Sequence, residues 1–433
     1  MAKGKRVFVV DGARTPFLKA LGSTGKFSAA DLAVAAARPV LTRMPFQPEA
    51  IDEVIVGCVI PAPNEANIAR IIALRLGCGK KVPAFTVQRN CASGLQALAS
   101  ARERIALGYS DLILAGGTEA MSRAPVQWNA DMVNWLSGLM RARSPVDRLK
   151  AISAFRLKNL KPVFTLLLGL SDPLVKLSMG QTAEIVAHRF GITREQQDEY
   201  ALQSHERLAA AYDAGHMEDE IEILYDDKGK HYKDDTGMRR GSTMEQLAKL
   251  KPVFDRKYGL VTSANSSQIT DGAAMLLLAS EKAIEKYDLS VLGELVDHEW
   301  AGVDPSQMGL GPVHAVAGLL ARQKLTMGDL DHMELNEAFA AQVLGCQAAW
   351  ASDDYAREEL GLKSALGSMD PRRLNPDGGA ISCGHPVGAS GARLVLHLLL
   401  ALRHRGGGQG VATLCIGGGQ GGAMLVRVEG GKS

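Results

Sequence analysis

The stretch NCASGLQALASARERIALG, residues 90–108, is followed after three residues by LILAGG at 112–117. An extended run, Phe85-Thr86-Val87, leads into it. Ala92, Ser93 and Gly94 open a helix over Leu95–Ala106, Gly108 turns the chain, and Leu112–Ala115 reads as a strand ending in Gly116-Gly117. The same plan returns near the other end of the chain. There GHPVGASGARLVLHLLLALRHRGGG, residues 384–408, opens a helix over Ala389–Arg403 and turns at Gly406-Gly407-Gly408. A strand follows, Val411–Ile416, and ends in Gly417-Gly418-Gly419. Two segments with one local plan imply a duplicated fold with pseudo-twofold symmetry. Cys91 and His385 then occupy matched strand-to-helix corners, one from each half, and such corners can converge on one central cleft.

Outward from the repeat, Val7–Val10 and Glu53–Val56 also read as strands and Ala29–Leu41 as a helix. This alternation predicts α/β layers with buried, mostly parallel strands. Residues 1–121 and 262–285 are expected to form the first half and 286–433 the second. Residues 122–261 differ in character, being rich in Gln, Arg, Asp and Met. They are expected to form an inserted loop domain that covers the active site and contacts substrate. It includes an amphipathic helix, Arg194–Ala214, opened by Thr193 with Glu195 and Gln196 in its first turn.

Composition narrows the function. A chain of 433 residues can bury a large core and suggests two or three domains. A formal net charge of +2 argues against a nucleic-acid binder. Six cysteines in so long a chain are too sparse for a disulfide scaffold, and none forms a CxxC pair, so no metal site is expected. The N-terminal apolar run is too short for a signal peptide, and no stretch approaches the roughly 20 apolar residues of a spanning helix. A reducing, cytoplasmic setting is the expectation, and it keeps thiols usable for catalysis.

Residues 136–176 stand apart. They hold eight Lys/Arg against Asp147 and Asp172, a local charge of +6 that leaves −4 for the rest. The basic residues interleave with Leu149, Ile152, Phe155, Leu157 and Leu160 and precede the apolar run Val163–Leu170. A basic, apolar-faced helix beside such a run reads as an anchor for an anionic membrane surface. The plainer reading is a basic rim for substrate phosphates with a helix packed on the body or on a partner chain.

The motifs at the glycine-rich turns carry chemistry. Cys91 at a helix start would feel the positive end of the dipole, which lowers a thiol pKa. His385, between Gly384 and Pro386, is held rigidly enough to take a proton near neutral pH, with Gly384 admitting another backbone at close range. In Asn336-Glu337-Ala338-Phe339, Asn336 can hold a water or donate to an oxyanion and Glu337 can orient a neighbour. Cys415, before three glycines whose N–H groups suit a second oxyanion, is a candidate acid/base at a carbon next to a thioester. Two thiols and one imidazole at such turns suggest carbon–carbon bond chemistry on a thioester.

Taken together these motifs resemble the thiolase family over nearly the whole chain. The resemblance rests on Asp11–Phe17, Asn90–Gly94, Gly116–Ser122, Met179–Glu184, Asn336–Phe339, Gly384-His385-Pro386 and Cys415–Gly419. It implies two similar α/β halves in five αβαβα layers plus a loop domain. By resemblance, Cys91 is the acyl-accepting nucleophile, His385 its activator and Cys415 the second acid/base. Asn336, through a water, joins His385 in one oxyanion hole, and the N–H groups of Cys91 and Gly417 form the other. Ser267 matches a serine that contacts the pantetheine of coenzyme A, with Met179 and Phe339 beside it. The implied reaction is cleavage of a 3-ketoacyl-CoA by coenzyme A as co-substrate, with no tightly bound cofactor. One departure is Ser178, where short-chain biosynthetic thiolases often carry His. Residues 136–176 and Ser352–Leu374 resemble β-subunits of trifunctional fatty-acid oxidation complexes. That implies a homodimer core, an α-subunit with hydratase and hydroxyacyl dehydrogenase activities, and a peripheral membrane contact. The competing readings are a biosynthetic acetoacetyl-CoA thiolase, a decarboxylating ketoacyl synthase, which would not need Cys415, and a non-enzymatic lipid carrier, which would not need Cys91.

Overall fold

The computed structural model describes residues 5–430. The chain begins with β1 (Val7–Arg14), α1 (Ala29–Thr42), β2 (Glu53–Gly57), α2 (Ile68–Arg75), β3 (Ala84–Val87), α3 (Ser93–Ala106) and β4 (Leu112–Ala120). A long excursion supplies α4 (Ala130–Arg141), α5 (Pro145–Ser153), α6 (Met179–Arg189) and α7 (Arg194–Asp213). The chain returns as β5 (Thr270–Ser280), then β6 (Gly293–Gly302), α8 (Gly311–Gln323), β7 (His332–Leu335) and α9 (Ala340–Trp350). It closes with α10 (Ser390–His404), β8 (Gly408–Ile416) and β9 (Gln420–Val428). Local chemistry sets several starts. Ser28 with Asp31 and Thr193 with Gln196 form capping boxes at α1 and α7.

The strands run in the order β3-β2-β4-β5-β1-β6-β9-β8-β7. That order is the same outward from its centre in both directions. β1 answers β6, β5 answers β9, β4 answers β8 and β2 answers β7. The partner of β3 is reduced to one parallel bridge between Leu374 and Met333. The two halves meet at a short seam, where Phe8 pairs with Glu294 and Val9 with Gly293. Only β2–β3, β2–β4 and β7–β8 are parallel, and the other five pairings along this path are antiparallel. The expectation of mostly parallel strands is therefore corrected. β9 follows β8 through a tight turn at Gly417–Gly419, which forces a hairpin. β5 returns from the excursion in the same sense against β4.

The layers follow from which faces are apolar. Leu32 and Val40 of α1 and Ile72 of α2 cover Val54, Leu114 and Leu277 on one outer face. Leu95 and Leu98 of α3 and Leu394 and Leu398 of α10 fill the middle, against Ile113 and Leu276 on one side and Ile416 and Met424 on the other. Val316 and Leu319 of α8 and Val343 and Trp350 of α9 cover Val411 and Leu425 on the far face. Helix, sheet, helix, sheet, helix is the resulting order. α3 and α10 touch through backbone. A Cβ on Gly94 would lie 2.8 Å from the Gly388 carbonyl oxygen and 2.9 Å from Ala392 N. A Cβ on Gly391 would lie 2.5 Å from Leu95 N. Only glycine permits that approach.

A chain of buried charges ties the excursion to both halves. Arg14, 1% exposed, meets Glu220 at 2.6 Å and grips Asp235 at 2.8 and 2.9 Å. Glu220 also takes His397 Nδ1 at 2.9 Å, and His397 Nε2 lies 3.4 Å from Asp377. Arg393 meets Glu334 at 3.1 Å. Burial alone would lower the His397 pKa, but Glu220, Glu334 and Asp377 outweigh it and hold the imidazole at about 10.

Residues 136–176 are the least buried part of the excursion. Met140 is 86%, Leu149 69% and Leu157 83% exposed, and no residue of α5 is buried. The run Val163–Leu170 does not form one element. Pro162–Phe164 pairs with Val126–Trp128 in a two-stranded ribbon, and Thr165–Gly169 is one short helical turn. Among the described residues, no helix is long and apolar enough to cross a membrane.

Candidate active site

Cys91 lies in the corner between β3 and α3. Asn90 there has φ +44°, a left-handed backbone that Asn tolerates better than most residues. The Ser93 hydroxyl donates to Asn90 O at 2.7 Å and accepts from Arg89 N at 2.9 Å. Asn90 Nδ2 reaches across the halves to donate to Gly417 O at 2.7 Å, and the Arg89 guanidinium stacks on Trp300 at 4.1 Å. The corner is thus set by both halves at once. Burial raises the Cys91 pKa above its ordinary value, and hydrogen bonds from the N–H groups of Gly417 and of Cys91 itself oppose the rise without cancelling it. The expectation of a lowered pKa is corrected: loss of hydration outweighs the helix start. At rest this is a thiol, and it needs a base.

His385 lies just before α10, after a helical turn at Ala380–Cys383 rather than the strand expected, so only Cys91 sits at a strand-to-helix corner. Its N–H donates to Gln268 O at 3.1 Å. Nδ1 faces Ser390 Oγ at 2.6 Å, and Asn336 Nδ2 lies 3.5 Å from Nε2. Burial first, and the charge of Arg393 second, lower the imidazole to about 4. His385 is therefore neutral at pH 7, as a proton acceptor must be. Gly384 has φ +111°, and a Cβ there would meet Thr270 Cγ2 at 2.4 Å. Its close neighbour is a side chain rather than the backbone expected.

Asn336 directly follows β7, with its N–H donating to Thr413 O at 2.9 Å. Its Oδ1 is buried without a partner, which suits a water or a substrate group. Glu337 beside it is an anchor. It accepts from Tyr200 at 3.0 Å and Ser204 at 2.6 Å on α7, from Asn375 Nδ2 at 3.1 Å, and from Ile381 N at 3.2 Å. One carboxylate thereby fastens the excursion to the loop that carries His385.

Cys415 is buried at the end of β8. Burial, and then the neighbouring Cys91 sulfur, push its pKa well above the ordinary value. It packs with Met179, Ala338, Phe339 and Met308 in one apolar cluster. Met179 Sδ would be 3.3 Å from a Cβ on Gly417, and Phe339 meets Phe254 edge-on at 6.0 Å. Ser267 donates its N–H to Ala338 O at 2.9 Å, one residue before the Gln268 carbonyl that holds His385. Ser178 caps α6 in a capping box with Gln181.

These contacts bring Cys91, Gly417, Met179, Cys415 and Phe339 together. Asn336 and His385 form a second pair at 3.5 Å, and Ser267, bonded to Ala338 O, adjoins the Gln268 that holds His385. Sequence reasoning missed Ser390 and Asn90 as partners. A serine opening the helix five residues after His385 was the available signal for the first. Asn90 carries no signal of its own, since its partner is 327 residues away.

Comparison with known proteins gives the family. The thiolase N-terminal domain family matches residues 7–282 and the thiolase C-terminal domain family residues 289–428. The chain is 39% identical to a 3-ketoacyl-CoA thiolase of Yersinia enterocolitica, over 99% of this chain and 98% of that one. Among solved structures it resembles human mitochondrial 3-ketoacyl-CoA thiolase, with TM-score 0.83, 37% identity and 98% of each chain covered, a protein also solved in complex with CoA. It likewise resembles an acetyl-CoA acetyltransferase from Syntrophomonas wolfei, with TM-score 0.85, 35% identity, and 98% and 99% of the two chains covered. The chain belongs to the thiolase family.

Proposed function

We propose that the protein cleaves 3-ketoacyl-CoA with coenzyme A, giving acetyl-CoA and an acyl-CoA shorter by two carbons. The observation that carries this is the Cys91 thiol beside the buried Cys415 thiol, with the neutral, buried imidazole of His385 before the helix that crosses the one after Cys91. His385 Nε2 takes the proton of Cys91, and the thiolate attacks the 3-keto carbon. As the C2–C3 bond breaks, its electrons pass into the enolate of acetyl-CoA, which Cys415 protonates at carbon. The acyl group is left on Cys91 as a thioester. Coenzyme A then loses its thiol proton to a base in the site and displaces Cys91. This is covalent catalysis with ping-pong kinetics.

The polar groups divide between two carbonyl oxygens. Asn336 and His385 face one, Asn336 through a water, and the N–H groups of Cys91 and Gly417 face the other. Met179, Phe339 and Ser267 line the path for the pantetheine arm, and no tightly bound cofactor has a task in this scheme. Synthesis of acetoacetyl-CoA would use the same groups in reverse. The curated relatives named as 3-ketoacyl-CoA thiolases favour the degradative direction, in fatty-acid β-oxidation.

We assign residues 1–121 and 262–285 to one catalytic half, 122–261 to the cover and 286–433 to the other half. The chain works in the cytoplasm as a homodimer at least, beside an α-subunit with hydratase and hydroxyacyl dehydrogenase activities. The exposed leucines of 136–176, among eight cationic side chains, support contact of this segment with an anionic membrane surface. The decisive experiment is cleavage of 3-ketoacyl-CoA in the presence of coenzyme A, by wild type and Cys91→Ala. Turnover by the variant at the wild-type rate would sink the mechanism.

A further inference from the structure

Ser390 makes the shortest polar contact of the catalytic histidine, on the ring nitrogen opposite the one that faces Asn336. Its oxygen is 2.6 Å from His385 Nδ1. The same oxygen is 3.1 Å from the Pro386 carbonyl, which gives its hydroxyl hydrogen an acceptor. A serine hydroxyl has one hydrogen. If that hydrogen goes to Pro386 O, only lone pairs face Nδ1, and Nδ1 must bring the hydrogen of that 2.6 Å contact. On the other side of the ring, the Asn336 amide presents Nδ2, a donor, to Nε2 at 3.5 Å. Both contacts ask for the same imidazole, with hydrogen on Nδ1 and a lone pair on Nε2. Ser390 is 1% exposed and opens α10, the helix that locks against α3 at Gly94. Its place is therefore fixed by the crossing that brings the halves together.

Resting on the reading above, we propose that Ser390 is a positioning residue that seals Nδ1 of His385, so that every proton His385 exchanges passes through Nε2. The chain of hydrogen bonds from Nδ1 ends at a peptide carbonyl, which cannot keep a proton. A proton taken from Cys91 at Nε2 thus has no exit through the back of the ring. It stays on the imidazolium, facing the cleft, and returns through the same nitrogen when the Cys91 sulfur next needs it. The imidazolium so formed still donates Nδ1–H to Ser390, so the contact survives the proton transfer unchanged. No co-reactant is required, since one proton moves out and back.

The test combines a spectroscopic and a kinetic measurement on the intact protein. In wild type, 15N NMR of labelled histidine at pH 7 should show His385 with a pyrrole-type Nδ1 and a pyridine-type Nε2. A wild-type ring protonated on Nε2 overturns the proposal, whatever any variant does. Ser390→Ala should give mixed tautomers and a kcat reduced about 10- to 100-fold, within the range of a misaligned general base, with KM for coenzyme A little changed. Ser390→Ala with wild-type kcat and an unmixed Nδ1–H tautomer also overturns it. Should that variant fail to fold, the wild-type spectrum decides alone. Loss of 3-ketoacyl-CoA cleavage by wild type would instead refute the functional reading and leave the tautomer assignment standing.

Discussion

Gly94→Ala adds one methyl group at the crossing of α3 and α10. The new carbon would sit 2.8 Å from Gly388 O, 2.9 Å from Ala392 N and 3.2 Å from Ala392 Cβ. Two of these neighbours are backbone, so no rotamer change can relieve them. Overpacking of a tight core costs about 1–3 kcal/mol, and contacts this rigid belong at the upper end. Alanine in a helix recovers up to ~1 kcal/mol of that, which leaves a net loss of about 2 kcal/mol. For a chain of this size the melting midpoint should fall by a few degrees, about 2–5 °C. Activity should suffer more than stability. Gly94 is three residues after Cys91 and Gly388 three after His385, so a separation of the helices acts directly on the distance between thiol and base. A displacement near 1 Å can cost roughly 100-fold in rate. Differential scanning calorimetry and steady-state thiolysis on the same preparation measure both. A Gly94→Ala enzyme that melts with wild type and keeps its kcat would refute the idea that this contact sets the catalytic geometry.

Cys91→Ala should retain the fold and lose the acyl-enzyme. Mass spectrometry of enzyme mixed with 3-ketoacyl-CoA alone should show an acyl adduct in wild type only, and an adduct on the variant would move the nucleophile elsewhere. Because the His385 pKa is lowered to about 4, the histidine stays neutral well below pH 6. The acid limb it contributes to kcat/KM should lie near its lowered value, and a limb at the ordinary histidine value, about 6.5, contradicts this burial argument. His397, held at about 10, binds its proton more tightly folded than unfolded, where it titrates near ~6.5. The stability it adds is complete below pH 6.5 and is lost as pH rises toward 10. Melting midpoints over that window should fall more steeply for wild type than for His397→Gln, and equal slopes would refute the assignment. Replacing Arg148, Lys150, Arg156 and Lys158 with Gln should weaken co-sedimentation with anionic vesicles. Unchanged binding excludes this segment as the membrane contact.

Much of the fold could be read from two helices. The α3 and α10 segments each sit between a reactive residue and a glycine-ended strand, and that local likeness was enough to pair the two helices at the centre of the fold. Strand direction was not legible. β4 and β5 are buried throughout, and a continuous apolar run looks the same in a parallel and an antiparallel sheet. The corners were legible because their glycines and polar residues have few other uses. The direction of the Cys91 pKa shift was misread, because a helix start is visible in sequence and the packing around the half-buried sulfur is not. Contacts such as Asn90 to Gly417 and Glu337 to Tyr200 and Ser204 join residues far apart in the chain, and nothing local announces them.

β4 and β5 pair without a break from Leu112–Ala279 to Ala120–Asp271, so the excursion leaves the sheet and rejoins it at one point. Its length is therefore nearly free: doubling a loop costs only about 0.6 kcal/mol in closure entropy. Insertions within it cannot shift the register beneath. Its chemistry is not free in the same way. Glu220 and Asp235 neutralise Arg14, and Glu220 also neutralises His397, all deep in the molecule. Deleting the excursion would strand Arg14, at about 3–5 kcal/mol for each broken buried pair, and would leave His397 with only Glu334 and Asp377. The cover can grow, shrink or change its surface over generations, but two of its acids must stay in place for the catalytic body to remain folded.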